Sequence, residues 1–220
     1  MLAAALVLTA CTTGSFRPRN LAKTEVDQIT DLHILALETH LRALTIKLYR
    51  RNPSELRKRS GQTLNHRLQL LFGERSELRF AELDNRQSTD AMLLAFDDGY
   101  KGDRVFAVMA GLTDMLRRSY DYKTEYFALD VLDQQKLYNS ARNIEVLVWR
   151  LSHKRDPQGQ LYLLSNEMTE DERPDNLSFE RLFGKMIALQ DMMAEITADS
   201  GNRGINRVVQ GAATMIFLPI

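Results

Sequence analysis

The segment DRVFAVMAGLTDML, residues 103–116, carries the clearest helical pattern in the chain. Its apolar residues recur at three- and four-residue steps, the spacing of one face of an α-helix. Asp103 is well placed to cap the helix, and Gly111 is one of several small residues that allow close packing. The pattern predicts a buried amphipathic helix, with apolar positions Val105, Val108, Met109, Leu112, Met115 and Leu116.

The same periodicity predicts helices on both sides of this segment. A long helix is expected from about Lys23 to Arg51, in the middle of a bundle because it is apolar on more than one side. Asn52 as N-cap and Pro53 at the first helical position predict a second helix that continues to about Phe72. Further helices are expected over residues 88–98, over 129–153 and from 178 onward. The fold class is therefore all-α, an irregular helical bundle of about five to seven helices and not a repeat solenoid.

Composition excludes several classes of protein. The 220 residues are 44% hydrophobic and 26% charged, which is ordinary globular usage. Because 29 basic residues balance 29 acidic ones, the chain lacks the positive field of a nucleic-acid binder, and no nucleic-acid partner is expected. No apolar run approaches the ~20 residues of a spanning helix. One cysteine rules out an intramolecular disulfide.

The N-terminal region is apolar and free of charge through residue 16. Its apolar run ends at the single cysteine, in the sequence Leu8-Thr9-Ala10-Cys11, which resembles the lipobox of bacterial lipoproteins. The resemblance implies that residues 1–10 are a cleaved signal peptide, that Cys11 is lipidated, and that residues 11–22 form a tether. Because Thr12 follows the cysteine where Asp would signal inner-membrane retention, it also implies the periplasmic face of the outer membrane.

No Lys or Arg precedes the apolar run, although secretory signals normally begin with a basic segment. A start upstream of Met1 would supply that segment, so residues 1–10 are interpreted as a truncated signal peptide. The alternative is an N-terminal helix that belongs to the fold, in which Cys11 is a small buried apolar side chain.

Residues 23–200 are expected to form one helical domain, interrupted by a long loop at 154–176. Residues 201–220 form an apolar C-terminal tail, whose last thirteen residues carry no charge. This stretch is too short to span a bilayer as a helix. It is expected to dock on the bundle, to enter a partner protein or to lie along the membrane surface.

Catalytic and metal-binding motifs are missing from the sequence. It contains no nucleophile elbow, phosphate-binding loop, dinucleotide fingerprint or H-E-x-x-H pair, so no cofactor is expected. His33 and His40 are seven residues apart, about 10.5 Å on a helix, which is too far for chelation of one ion. No metal site is therefore predicted. The acidic turn around Asp97 and Asp98 is interpreted as a helix end.

Charge is unevenly distributed along the chain. Eight basic residues and one acidic residue lie between Arg42 and Arg67, whereas acidic residues dominate between Glu74 and Asp103. The basic stretch could meet anionic headgroups or an acidic partner face, or it could cover acidic segments of its own fold. The candidate residues for partner or headgroup binding are Arg50, Arg51, Arg57, Lys58 and Arg59.

Three functions remain open. The leading hypothesis is an outer-membrane-anchored lipoprotein without enzymatic activity, attached to the membrane through its lipid, that binds or scaffolds another envelope protein. A cell-envelope hydrolase would use dispersed carboxylates such as Asp97, Asp98 or Glu167. A lipid or small-molecule carrier would have a cavity lined by methionines of the last helix, Met186, Met192 and Met193.

Cys11→Ala is expected to abolish lipid attachment, since the thiol is the acylated group. The measurement is incorporation of a palmitate analogue in a Gram-negative host, followed by membrane fractionation, with the unsubstituted chain in parallel. The unsubstituted chain should be labelled and fractionate with the outer membrane. Unlabelled, soluble protein would instead assign residues 1–16 to the fold.

Overall fold

A computed structural model gives the structure over residues 23–74, 77–168, 174–208 and 215–220. These residues form seven α-helices and one small antiparallel sheet, which confirms the all-α helical bundle. The predicted signal peptide, the lipobox-like residues and the predicted tether lie outside the described residues. The elements are α1 Glu25–Arg51, α2 Pro53–Arg57, α3 Leu64–Phe72, α4 Ser88–Leu94, α5 Arg104–Ser119, α6 Gln134–His153, β1 Glu167–Met168, β2 Pro174–Asn176 and α7 Ser178–Gly201.

Helix α1 begins at a capping box and runs through the middle of the bundle. The Thr24 hydroxyl accepts a hydrogen bond from the Asp27 amide at 3.2 Å, and the Asp27 carboxylate accepts one from the Thr24 amide at 2.7 Å. The helix contacts α3, α5 and α7, as its two-sided apolar pattern predicted. Its buried residues Leu41, Leu44 and Leu48 lie in the common core.

The predicted second helix is broken in two, and this prediction was wrong. Helix α2 ends at Arg57, and α3 begins at Leu64 after Gly61, whose φ of +76° favours glycine. The side chain of Asn52 makes no capping hydrogen bond. Its amide instead donates to the Leu164 carbonyl and accepts from the Leu164 amide, both at 2.8 Å. This pairing holds the chain after α6 against the start of α2.

Helices α4 and α5 approach each other through Gly111. A Cβ atom at this position would lie 2.4 Å from the Ser88 carbonyl oxygen and 2.7 Å from the Met92 amide nitrogen, both on α4. Asp103 caps α5 as predicted, because its carboxylate accepts from the Phe106 amide at 2.8 Å. The predicted helix over 88–98 ends at Leu94.

The end of α4 is held by the first residue of α5. The Arg104 guanidinium donates to the carbonyls of Ala95 at 2.7 Å, Asp97 at 2.9 Å and Tyr100 at 2.9 Å. These carbonyls follow the last residue of α4, where the helical hydrogen bonds have ended, and the buried guanidinium supplies donors to them. The backbone amide of Arg104 donates to the Glu55 carboxylate at 2.7 Å, which connects α5 to α2.

A buried ion network joins α1, α3, α5 and the short 3-10 turn Ala81–Leu83. The Arg67 side chain has no solvent exposure, and its guanidinium donates to both carboxylate oxygens of Glu82, at 2.6 and 3.0 Å. It also lies 3.2 Å from the Asp103 carboxylate. The Tyr49 hydroxyl donates to the same Asp103 oxygen at 2.8 Å. Arg67 therefore pairs with two carboxylates at once, and Arg59 adds a second cation at Glu82, 3.1 Å away.

The pKa values in this network follow from burial and pairing. Burial raises the pKa of the Asp103 carboxyl, although its hydrogen bonds and Arg67 act in the opposite direction. Burial alone would raise the pKa of Glu82, but hydrogen bonds from Arg67 and Arg59 hold it below its usual value. Burial likewise opposes the charge of Arg67, whose pKa the carboxylates nevertheless raise. Pairing therefore favours the ionised forms of Glu82 and Arg67, whereas burial outweighs pairing at Asp103.

Helix α6 begins at Gln134, five residues after the predicted start at Leu129. Asp133 caps it by accepting from the Gln135 amide at 2.8 Å. Leu129 itself lies in a turn closed by Asp130, which accepts from the Phe127 amide at 3.0 Å and pairs with Lys123 at 2.5 Å. Helix α7 begins at Ser178 as predicted and packs along α6 and α1.

The long loop at 154–176 contains an isolated bridge between Arg155 and Leu161 and the two short strands. Most of its described side chains are exposed or half-buried, but Leu163 is buried in the core. The loop is therefore anchored at Leu163 and, through Asn52, at Leu164.

Arg67→Ala should lower the free energy of unfolding by about 3–5 kcal/mol, because it leaves the Asp103 carboxylate buried without a cation. The matched control is Arg79→Ala, which removes an exposed pair with Glu77 at 3.5 Å and should change stability by less than about 1 kcal/mol. Urea unfolding followed by far-ultraviolet circular dichroism measures both. Equal losses in the two variants would show that the network does not stabilise the fold.

Candidate functional site

A cleft of about 460 Å³ lies between α1 and α5. The end of α3 closes one side of it, and the segment that follows α5 closes another. Its volume falls within the ~300–1,000 Å³ typical of ligand pockets. The walls are mainly apolar, formed by Ile34, Leu37, Leu41, Phe72, Leu116 and Tyr120.

Charged side chains surround this apolar floor. Glu38 accepts hydrogen bonds from Arg42 at 2.7 and 2.9 Å, and the Arg42 guanidinium also lies 4.5 Å from the centre of the Phe72 ring. Arg117 lines the cleft from α5, where burial lowers its pKa and Glu38 opposes that shift. Lys123 lines the opposite side. An apolar group in the cleft would therefore be bordered by both signs of charge.

Thr113 is the polar exception in the buried wall. Its side chain is 1% exposed, and its hydroxyl oxygen has no hydrogen-bond partner among the described residues. A buried hydroxyl without a partner lowers stability, because it has lost its hydration without replacement. Thr45 on α1 is also buried, yet its hydroxyl donates to the Leu41 carbonyl at 2.8 Å.

Four apolar residues are exposed on α1 and on the loop that follows α5, and we call them the apolar rim: Leu32, Leu35, Leu129 and Val131. Leu32 and Leu35 on α1 are each 63% exposed, and Leu129 is 95% exposed. The loop that carries Leu129 is held to α1 because the Tyr126 amide donates to the Asp31 carboxylate at 2.9 Å. Single exposed leucines are common, but several of them on two segments that are held together indicate an interaction surface.

The five basic candidate residues differ in their exposure and in their ion pairs. Arg50, Arg57, Lys58 and Arg59 are exposed, and Arg51 is half-buried. Lys58 pairs with Glu55 at 2.8 Å and Arg59 with Glu82 at 3.1 Å, so part of the basic stretch covers acidic residues of its own fold. Arg50 and Arg57 form no ion pair with any described residue.

The carboxylates proposed for hydrolysis are not gathered in a cleft. Asp97 is exposed and accepts from the Gly99 amide at 2.8 Å, and Asp98 is exposed and accepts from the Tyr162 hydroxyl. The side chain of Glu167 lies outside the described part of the structure, as does most of the acidic run that follows it. Within the described ranges, no three His, Cys, Asp or Glu side chains are grouped so as to hold a metal ion.

The histidines occupy separate environments. His33 is buried on α1, where burial lowers its pKa, and its Nδ1 atom has no partner among the described residues. Burial and Lys185 lower the pKa of the half-buried His40. His66 is exposed, and His153 stacks on the Trp149 ring with centroids 5.0 Å apart.

The methionines of the last helix do not line the cleft. Met186 and Met193 are fully buried in the core of the bundle, and Met192 is half exposed. Sequence reasoning missed the cleft because its α1 wall, including Ile34 and Leu41, has the same periodicity as core residues. Only the three-dimensional arrangement distinguishes a cleft wall from a packed core.

Comparisons of the chain with protein-family models, with curated proteins and with solved structures gave no significant match. Among the helices in the described ranges, none has both the length and the apolarity needed to cross a membrane.

Thr113→Val should raise the free energy of unfolding by about 1 kcal/mol, because it removes a buried hydroxyl that has no partner. Thr45→Val is the matched control and should lower stability by about 0.5–1.5 kcal/mol, since it deletes an existing hydrogen bond. Denaturant unfolding measures both variants. A loss of stability in Thr113→Val as large as in Thr45→Val would contradict the assignment.

Proposed function

We propose that the chain is a bacterial lipoprotein, anchored through Cys11 to the periplasmic face of the outer membrane, that binds another envelope protein. The cleft and the apolar rim form the binding surface in this proposal. The main support for this proposal is the position of the surface along α1. This helix is the first element after the predicted tether. The lipobox-like residues 8–11 support the anchor, and the exposed leucines support a partner.

The distances are compatible with a partner at or near the membrane. Residues 11–22, fully extended at ~3.5 Å each, reach about 40 Å from the lipidated cysteine. Leu32 lies about 10 Å along α1 from Glu25, at a rise of 1.5 Å per residue. Leu32 and Leu35 of the rim are therefore close, along α1, to the point where the tether joins the domain.

The chemistry of the surface favours a protein partner. Protein interfaces combine an apolar centre with a polar border, and here Ile34 and Leu37 lie within a border that contains Glu38 and Arg117. A partner helix or loop could insert apolar side chains into the cleft and pair its own charges with this border. Enzymatic activity has no support from the geometry, because the described carboxylates of the hydrolase alternative lie away from the cleft.

A carrier of amphipathic small molecules is the second candidate, and the volume of the cleft favours it. The two functions differ in what the isolated chain binds. Saturable binding of the fluorescent probe N-phenylnaphthylamine, weakened by the cleft-filling variant Ile34→Trp, would favour the carrier. A chain that shows no saturable probe binding would favour a protein partner.

A photo-crosslinking amino acid at Leu35 should capture a specific envelope protein in intact cells, because this exposed position lies beside the cleft. The matched control is the same amino acid at Leu177, which is 48% exposed. Leu177 precedes α7, whose residue Phe179 contacts Lys47 near the other end of α1, with 5.3 Å from the Lys47 Nζ atom to the ring centre.

Adducts are resolved by gel electrophoresis and mass spectrometry, with Cys11→Ala in parallel. A defined adduct from Leu35 and none from Leu177 is the expected result. Equal adducts at both positions, or none at either, would contradict binding through the rim. Loss of the adduct in Cys11→Ala would connect partner binding to the anchor.

A further inference from the structure

The described parts of the C-terminal tail lie along α6 and are held mainly through their backbone. The Gln135 side-chain amide accepts from the Asn206 amide at 2.8 Å and donates to the Asn206 carbonyl at 3.2 Å. The Tyr138 hydroxyl accepts from the Val208 amide at 3.1 Å and donates to its carbonyl at 3.4 Å. Two side chains thus each pair with both polar groups of one tail residue.

The same arrangement recurs at residues 215–220. Asn143 accepts from the Leu218 amide at 2.6 Å and donates to the Leu218 carbonyl at 2.8 Å. Asn139 donates to the Pro219 carbonyl at 2.8 Å, and Arg150 donates to the Met215 carbonyl at 3.2 Å. Since Met215 pairs with the later part of α6 and Pro219 with the earlier part, the segment runs antiparallel to the helix.

These side chains provide the hydrogen bonds that a neighbouring strand would provide in a sheet. An extended backbone outside a sheet must find partners for its amides and carbonyls, and a side-chain amide offers one donor and one acceptor. Because the hydrogen bonds go to backbone atoms, they select an extended conformation and not particular side chains. Apolar contacts add to them, since Phe217 and Ile220 pack against the core and the Arg150 guanidinium lies 5.2 Å from the Phe217 ring centre.

The segment 215–220 lies beyond the last helix and belongs to no helix or strand, so its departure from α6 would break no helical hydrogen bond. Its departure would uncover the amides of Asn139 and Asn143, which are at most 7% exposed in the structure. Amides regain hydrogen bonds from water when uncovered, so this face costs less to expose than an apolar face of the same size. The side-chain amides bond to water when the segment is absent and to its backbone when it is bound. Such a face suits a segment that can exchange.

We propose that α6 carries a groove for an extended, uncharged polypeptide segment of a partner protein, formed by Asn139, Asn143 and Arg150. Residues 215–220 occupy this groove as an intramolecular ligand. The chemistry of the partner segment is that of residues 215–220, with free backbone amides at the position of Leu218 and apolar side chains at those of Phe217 and Ile220. The partner segment binds by displacing residues 215–220.

The test uses a fluorescently labelled peptide with the sequence of residues 215–220 and a soluble extension. Fluorescence anisotropy compares its affinity for the full chain and for a chain that ends at Thr214. The shortened chain should bind at least about tenfold more tightly, because a tethered segment competes at a high effective concentration. Circular dichroism and urea unfolding establish that the shortened chain is folded.

Two changes test the backbone pairing. Asn143→Leu in the shortened chain should remove most of the binding, whereas Asn65→Leu, at an exposed amide on α3, should leave it unchanged. A peptide N-methylated at the position of Leu218 lacks the N–H group that donates to the Asn143 side-chain oxygen. This peptide should bind less tightly, although the protein is unchanged.

Several results would overturn the proposal. One is a folded, shortened chain that does not bind the peptide. Another is equal affinity of the N-methylated and the unmodified peptide. That result would mean that the peptide binds through its apolar side chains and not through backbone hydrogen bonds. Concentration-dependent dimers of the full chain that vanish in the shortened chain would assign the groove to a second copy of this protein.

Discussion

The guanidinium of Arg67 has no contact with solvent, and the arrangement of the helices depends on how its charge is compensated. Glu82 provides two oxygens and Asp103 a third, so α3 must lie beside both the 3-10 turn and the start of α5. Tyr49 brings in α1 through the same Asp103 carboxylate. Because Asp103 also caps α5, a single side chain fixes where that helix begins and what lies next to it.

This fixed pairing of α1 with α5 produces the cleft. Their contact is tight near Tyr49 and Asp103, and the helices enclose open space farther along, between Leu41 and Leu116. The loop after α5 then crosses to α1 and is held at Asp31. The cleft is thus bounded by rigid helices on two sides, which suits a binding site that has to keep its shape.

Local signals in the sequence predicted the Asp103 cap, the course of α1 and the start of α7, because each depends on neighbouring residues. The break after α2 has a local signal in Gly61, whose positive φ ends the helical course. The missing Asn52 cap was not predictable, since the Asn52 amide is engaged by Leu164, 112 residues away. The cleft was hidden because cleft walls and core share one apolar spacing. The role of Asn143 was hidden as well, because its partner is the backbone of a distant segment.

The ion network also sets an order of assembly. Its largest sequence separation is the 54 residues between Tyr49 and Asp103, whereas α1 meets α7 across 163 residues, at Thr30 and Met193. Short-range contacts form faster because less chain entropy is lost on closing them. A chain that emerges from its N-terminus can therefore complete α1 to α5 as a first folding unit. Helices α6 and α7 would then pack against these helices, and residues 215–220 would pack after α6.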